Sequence, residues 1–486
     1  MLKLITNEKA KIIVFFEKNY FLHFRLSNFF IYLCSVNTNI TMLFIYSPSE
    51  NIQRLDYISR HLFNAILGID FSIVGDKKTF LNQTGACINY SSEDISHGLQ
   101  IVPHGLLFEK GVREIQDLNV AQWKGYFCFF RQIQGDIPFD LFAASFYLLT
   151  LYEEYFPKQL DEHGRFNPNE SLAYRNGFLE VPLIDRWAYL LKDELKKNYP
   201  DAKFKERKFS FVSTFDIDYP YMYLKKGLIR SIGGMMRDLL NRRFGKVALR
   251  IAVHLRIKPD PFMEALQWID KVHKEAGKSY HLFVLMEDRG KYGRKTRYPL
   301  TAYYRYLKNL NPIAVGLHPS YNTYFNHRQL SIEKKRLQKA LGKDGIVTSR
   351  QHFLRMHVPE TFRLLEEAGF REDYTIAFAH APGFRSGTAV RHYFYDVEKD
   401  TISELQLHPT IIMDACLITH LGLSPKETCE KIKHLVDECK QSGGEFVSLW
   451  HNSNLAGNKK NNPWINVFIE SFHYAISLEN DTFVSE

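Results

Sequence analysis

The sequence lacks most of the signatures that assign a chain quickly. Its six cysteines (Cys34, Cys87, Cys128, Cys416, Cys429 and Cys439) include no CxxC pair, which excludes a zinc ribbon and a small disulfide framework. Scattered through 486 residues, they read as buried free thiols in a reducing compartment. No GxGxxG follows a strand, and neither a Walker loop nor a GxSxG elbow occurs, so dinucleotide, P-loop and serine-hydrolase fingerprints are missing. No apolar run reaches the ~18–20 residues that span a bilayer. The nearest, 137–152, contains Asp140 and reads as a core helix. A signal peptide's basic start, clean apolar stretch and small-residue cleavage site are also wanting. These gaps set the expectation of a cytoplasmic protein.

Acidic residues are in mild deficit, 54 against 63 Lys and Arg, an excess that speaks to association and not to fold. Aromatics, at 14%, suit both large cores and sugar-binding surfaces.

Residues 1–41 are rich in Phe, Ile, Leu, Asn, Tyr and Lys without helical or strand period, whereas Met42 opens the strand-like run Leu43-Phe44-Ile45-Tyr46. The expectation is a poorly patterned extension, with Met42 as the native start. Residues 42–205 read as a mixed α/β accessory domain, with a strand at 43–46, a helix at 51–67 and helices at 139–155 and 184–197. Glu153 and Glu154 read as a solvated helix end. After a charged linker at 203–208, strands at 209–218, 280–286, 313–318, 374–379, 410–413 and 445–450 alternate with helices. Such alternation predicts a parallel barrel or a doubly wound sheet.

Polar residues gather just past several strand ends. The first strand ends in Asp216 and Asp218, two carboxylates that can divide metal binding from base chemistry. His318, Ser320 and Asn322 follow the third, and His380 and Gly383-Phe384-Arg385-Ser386-Gly387-Thr388 follow 374–379. Asp414 follows 410–413, and His451 closes Leu449-Trp450-His451.

In this order, an Asp pair, Gly316-Leu317-His318-Pro319-Ser320, an arginine loop, a late Asp and a final Leu-Trp-His, residues 209–455 resemble the NodB-homology polysaccharide deacetylases, carbohydrate esterase family four. The resemblance is to a bacterial branch with an extra N-terminal α/β domain. It implies an α/β fold whose second unit, 206–486, is a deformed (β/α) barrel. It also implies metal-dependent hydrolysis of an N-acetyl group on a cell-surface glycan or lipid-linked oligosaccharide. The metal would be divalent, most often zinc. Carried over, Asp216 is the general base, Asp218 and His318 are metal ligands, and Arg385 orients and pairs Asp216. His451 is the general acid, and Asp414 fixes its tautomer.

Two departures stand out. Ile217 separates the aspartates, and strand alternation still points both one way. The position four after His318 is Asn322, a poor zinc ligand. Either metal binds weakly or another residue completes the site, for which His352 in Ser349-Arg350-Gln351-His352 is the candidate. If neither serves, the barrel is an inactive carbohydrate-binding or assembly protein. Hydrolysis of another carbon–nitrogen bond is a further alternative.

An insert at about 224–258 carries ten Lys and Arg against one acid, Asp238. Leu228, Ile232, Met235, Leu239 and Leu240 give it helical spacing, with a break expected at Gly233-Gly234. It reads as a solvated face, or as peripheral contact with an anionic partner such as the inner membrane surface. No nucleic-acid module accompanies the charge. The oligomeric state has no sequence signal.

Overall fold

The computed structural model describes residues 42–116, 118–287, 292, 301–310 and 312–484, and before them the backbone of three antiparallel strands. These are β1 (Lys3–Asn7), β2 (Lys11–Phe16) and β3 (Tyr20–Arg25). Apolar residues run consecutively there, as in Ile12-Ile13-Val14-Phe15-Phe16, so no alternation marks a strand. Residues 26–41, and with them the expected boundary before Met42, lie outside the described residues.

From Met42 onwards the first sheet is parallel. β4 (Leu43–Tyr46) lies between β5 (Phe71–Val74) and β6 (Ala86–Asn89), with β7 (Leu99–Gln100) beyond β6. A central parallel strand is covered on both faces, and Leu43, Ile45 and Tyr46 are buried. The helix expected at 51–67 runs over 53–67. A hairpin of β8 (Ala121–Trp123) and β9 (Tyr126–Cys128) follows. Asp140, the lone acid in the long apolar run, caps α1 (Leu141–Leu149) by accepting from Ala143 N–H. That helix ends earlier than the sequence predicts. Leu151 turns left-handed, at φ 54°, and the tight turn Tyr152–Tyr155 carries Glu154 inwards. Glu154 is therefore buried, correcting its reading as part of a solvated helix end. α2 (Leu183–Asn198) completes this unit.

The second sheet has nine strands in the order β15-β16-β14-β13-β12-β11-β10-β18-β17. They are β10 (Ser210–Ile217), β11 (Tyr280–Leu285), β12 (Ala314–His318), β13 (Thr348–Ser349), β14 (Glu372–Asp373), β15 (His392–Asp396), β16 (Thr401–Leu407), β17 (Ile412–Met413) and β18 (Glu445–His451). All pairings are parallel except β15 with β16. The helices between them carry the expected signals. α3 (Leu228–Leu240) and α4 (Phe244–His254) form the basic insert, and α5 (Pro261–Glu275) starts on proline after Asp260. α6 (Pro425–Gln441) opens on a capping box, Ser424 with Glu427. α7 (Pro463–Val484) ends the described chain. α3 runs unbroken through Gly233-Gly234, and the expected break falls instead at 241–243. A Cβ on Gly234 would lie 2.9 Å from the Arg250 guanidinium, so this glycine serves close helix approach and not a bend.

Among the described residues no ladder joins the two ends of this strand order. The chain itself connects them. Only 408–411 separate β16 from β17, so 406–413 lies beside β14 at its start and beside β18 at its end. Backbone bonds continue the path, from Thr410 N–H to Ile376 O (2.8 Å) and from Ile411 N–H to Val447 O (2.9 Å). The strand predicted at 374–379 does not form; β14 ends just before it at Asp373, and beyond that point side chains take over the bonding. Tyr374 O accepts from Arg350 Nε (3.0 Å) and Thr410 Oγ1 (2.9 Å), and Thr375 N–H donates to Asp373 Oδ1 (2.8 Å).

The two units share their packing. The first core recruits Phe378, Ala381, Val390, Tyr395 and Val397 from beyond residue 205. Cys87, Cys128, Cys416, Cys429 and Cys439 are free and buried, as expected of structural thiols. Among the described residues no helix is long and apolar enough to cross a membrane.

Candidate active site

Parallel neighbours place their C-terminal ends on one edge. Register aligns Asp216 on β10 with His451 on β18, and Leu285 on β11 with His318 on β12. Asp218, just past β10, and His352, just past β13, join them there.

Asp218, His318 and His352 converge, their donor atoms lying within 4.8 Å of one another. His318 Nε2 is 3.3 Å from Asp218 Oδ1 and 3.6 Å from Asp216 Oδ2. His352 Nε2 is 3.7 Å from Asp218 Oδ1. The Nδ1 of His318 lies 2.5 Å from Arg350 O, a contact that requires Nδ1 to carry the proton and leaves Nε2 as the lone-pair atom facing the carboxylates. Asp218 Oδ1 and His318 Nε2, which face each other, are buried without a well-aligned hydrogen-bond partner, and His352 turns its Nε2 towards the same carboxylate. Ligand atoms converging on one point, two from imidazole and one from a carboxylate, match the preference of zinc or a similar cation.

The local charges agree. Burial pulls His352 down to about 4, so it is neutral. Burial would also lower His318, but Asp216 and Asp218 outweigh it and raise its pKa. Burial would raise Asp218, but His352, His318 and His451 outweigh it and hold that carboxyl well below the usual carboxylate range. Two carboxylates thus draw positive charge to this point, which a divalent ion can supply in place of a proton.

Asn322 does not join the cluster; it sits exposed at a turn after Ser320. Ser320 is turned to the buried Glu333, donating to its Oε1 at 2.5 Å, and His380 packs edge-on against His420. His352 is the residue brought in. Its turn is braced from the first unit, where Arg165 donates to Phe353 O (2.6 Å) and His163 O accepts from Arg355 Nε (2.6 Å).

Two acid–base pairs flank the cluster. His451 Nδ1 is 2.6 Å from Asp414 Oδ1, and Asp414 Oδ2 accepts from His451 N–H (2.8 Å) and Asn454 Nδ2 (2.9 Å). His451 Nε2 faces Asp218 Oδ2 at 4.0 Å. Burial would lower His451, but Asp414, then Asp218 and Asp216, raise it to about 10. At neutral pH its ring therefore carries a proton to give.

On the other side, the expected arginine is corrected. Arg385 does not meet Asp216. It makes a buried bidentate pair with Glu154 of the first unit (2.8 and 2.6 Å) and donates to Ala377 O. Asp216 is paired by Arg350 Nη1, 3.0 Å from its Oδ1. Arg350 is fully buried, lies over the Phe283 ring, and also bonds Thr214 Oγ1 and Thr410 Oγ1. Its sequence signal is its place two residues before His352 at a strand end. A single arginine in a polar tetrapeptide does not distinguish that role from a surface one.

A family model described as a family of unknown function (DUF7033) matches residues 43–200. No curated protein matches the chain. Among solved structures, the chain is similar to one described as "putative polysaccharide deacetylase from Mycobacterium smegmatis", at 14% identity and a TM-score of 0.35, covering 56% of this chain and 84% of that one.

Proposed function

We propose that the chain is a metal-dependent hydrolase that removes an N-acetyl group from a carbohydrate. In this reading 401–413 closes the second sheet into a deformed deacetylase barrel, with Arg350 in its interior. The observation that carries it is the convergence of Asp218, His318 and His352 between an arginine-paired carboxylate and a carboxylate-paired imidazole.

Asp218, His318 and His352 would hold the ion. When bound, it supplies Lewis-acid polarisation of the acyl oxygen and a lowered water pKa. Asp216, fixed by Arg350, accepts the proton of the attacking water. His451 protonates the departing amine, and Asp414 keeps its Nδ1 occupied so that Nε2 is the atom that donates. The imidazole of His352, supplied where Asn322 stands aside, supports an active site over a retired one.

The test is direct. Purified protein should hold about one zinc per chain and release acetate from N-acetylglucosamine oligomers. Asp216→Asn should abolish release while the metal stays. No metal uptake at a saturating zinc concentration would sink the proposal.

A further inference from the structure

The α3–α4 hairpin leaves the sheet at β10, α3 beginning at Leu228, shortly after Asp218. Its base is fixed, because the Asp260 carboxylate accepts from the N–H groups of Met222, Tyr223 and Leu224. Within the hairpin, Arg250 pairs with Asp238 at 2.8 Å and lies over the Tyr223 ring.

That pair commits the insert's only acid. Arg237, Arg242, Arg243, Lys246, Arg256 and Lys258 are exposed, so the insert presents a surface of one charge sign. The apolar side is equally unusual. Ten of the 22 exposed large apolar side chains among the described residues lie between 225 and 258. Ile229 is 86% exposed, Leu240 80% and Phe244 64%. Along α3 the apolar residues form one arc, while Asp238 and Gly234 turn towards α4. The arc is therefore not what holds the hairpin together. Leu228, Ile232 and Met235 of α3 line one cleft with Ile251 of α4, so part of the arc and Ile251 open to the same side. A patch of this kind marks a contact surface.

We propose that this hairpin docks on the headgroup region of an anionic bilayer, its apolar side chains entering the interface and its bases meeting lipid phosphates. Charge selects this occupant over a second copy: a two-fold contact would set the same bases against each other. Because the hairpin leaves from the site-bearing end of β10, the bilayer would lie at the edge of the sheet where the candidate active site opens. Vesicle binding needs neither metal nor turnover, so its outcome is separate from that of the deacetylase reading.

The test is co-sedimentation of the full chain with two vesicle types, phosphatidylcholine alone and equal parts phosphatidylcholine and phosphatidylglycerol. The mixed vesicles should capture the protein, and the pure ones should not. Raising the salt should weaken capture. Ile229→Ser with Leu240→Ser should weaken it at least about tenfold, and Arg242→Ser, Arg243→Ser and Lys246→Ser about fivefold each. These side chains are solvent-exposed, and unchanged circular dichroism and unfolding would show that the variants fold. Four results would overturn the proposal: no capture by anionic vesicles, equal capture by both types, capture insensitive to these substitutions, or a dimer that the apolar substitutions dissolve while vesicles bind nothing.

Discussion

His352 sits in a turn whose next two residues, Phe353 and Leu354, adopt left-handed backbone at φ 64° and 52°. Such a turn needs outside support, and it places the imidazole where the position four after His318 offers only an exposed asparagine. His352→Ala should weaken zinc binding by more than the roughly 10–100-fold that loss of an outer-shell partner costs. Asn322→Ala should leave it unchanged. Competition with a chromogenic chelator measures both. The Asp414–His451 pair makes a second prediction, for metal-stripped protein. His451 is raised from 6.5 to about 10, so its pairing stabilises the fold fully below about pH 6.5 and loses that contribution as pH climbs through about 10. The stability advantage over Asp414→Asn should therefore be largest in mild acid and shrink towards pH 10, as read by urea denaturation across that range. The aspartates, His318, Asp414 and His451 are legible in the sequence because each stands at the C-terminal end of an apolar strand, where side chains share one edge. Arg350 takes the place beside Asp216 expected of Arg385, because sequence order carries no information on which arginine a buried carboxylate meets.

Among the elements, helix starts are the most legible. α5 opens at Asp260-Pro261, where the Asp260 carboxylate accepts from Phe262 N–H (3.1 Å). α6 opens at Ser424-Pro425-Lys426-Glu427, where the serine and glutamate cap each other. Both helices begin where proline and a capping side chain place them, because those signals act within one turn. The strand predicted at 374–379 fails for the opposite reason. Its carbonyl partners include Arg350 and Thr410, far away in sequence, and no local pattern announces them. The antiparallel pair β15–β16 escapes the sequence as well: Tyr393 and Ile402 leave apolar side chains exposed, which blurs the alternation a half-buried strand should show. Thr410 makes a test at this scale. Its hydroxyl donates to Tyr374 O (2.9 Å) and accepts from Arg350 Nη2 (3.1 Å), tying 401–413 to the neighbouring strand. Thr410→Val keeps the shape, deprives the buried Arg350 Nη2 of this acceptor and leaves Tyr374 O with Arg350 Nε as donor, so it should cost about 1–3 kcal/mol, measured by urea denaturation.

Across the whole molecule, the α/β class follows from strand and helix rhythm, but the contacts between the earlier and later parts of the chain do not. Glu154 with Arg385, separated by 231 positions, and Arg165 with Phe353 O, separated by 188, join side chains that no local pattern relates. The second contact gives a prediction. Arg165 lies in the other unit from Asp218, His318 and His352, yet under the proposed function Arg165→Ala should lower zinc affinity about 10–100-fold, as loss of an outer-shell support does. Isothermal titration calorimetry reads this, and equal affinity in the variant would count against the brace. The same contact bears on inheritance. A later unit cut free of the earlier one keeps Asp218 and His318 at the ends of their own strands but surrenders the scaffold under His352. The two units would then have to be gained, lost and exchanged between lineages together, and zinc occupancy would serve as a readout of whether the two halves are correctly joined.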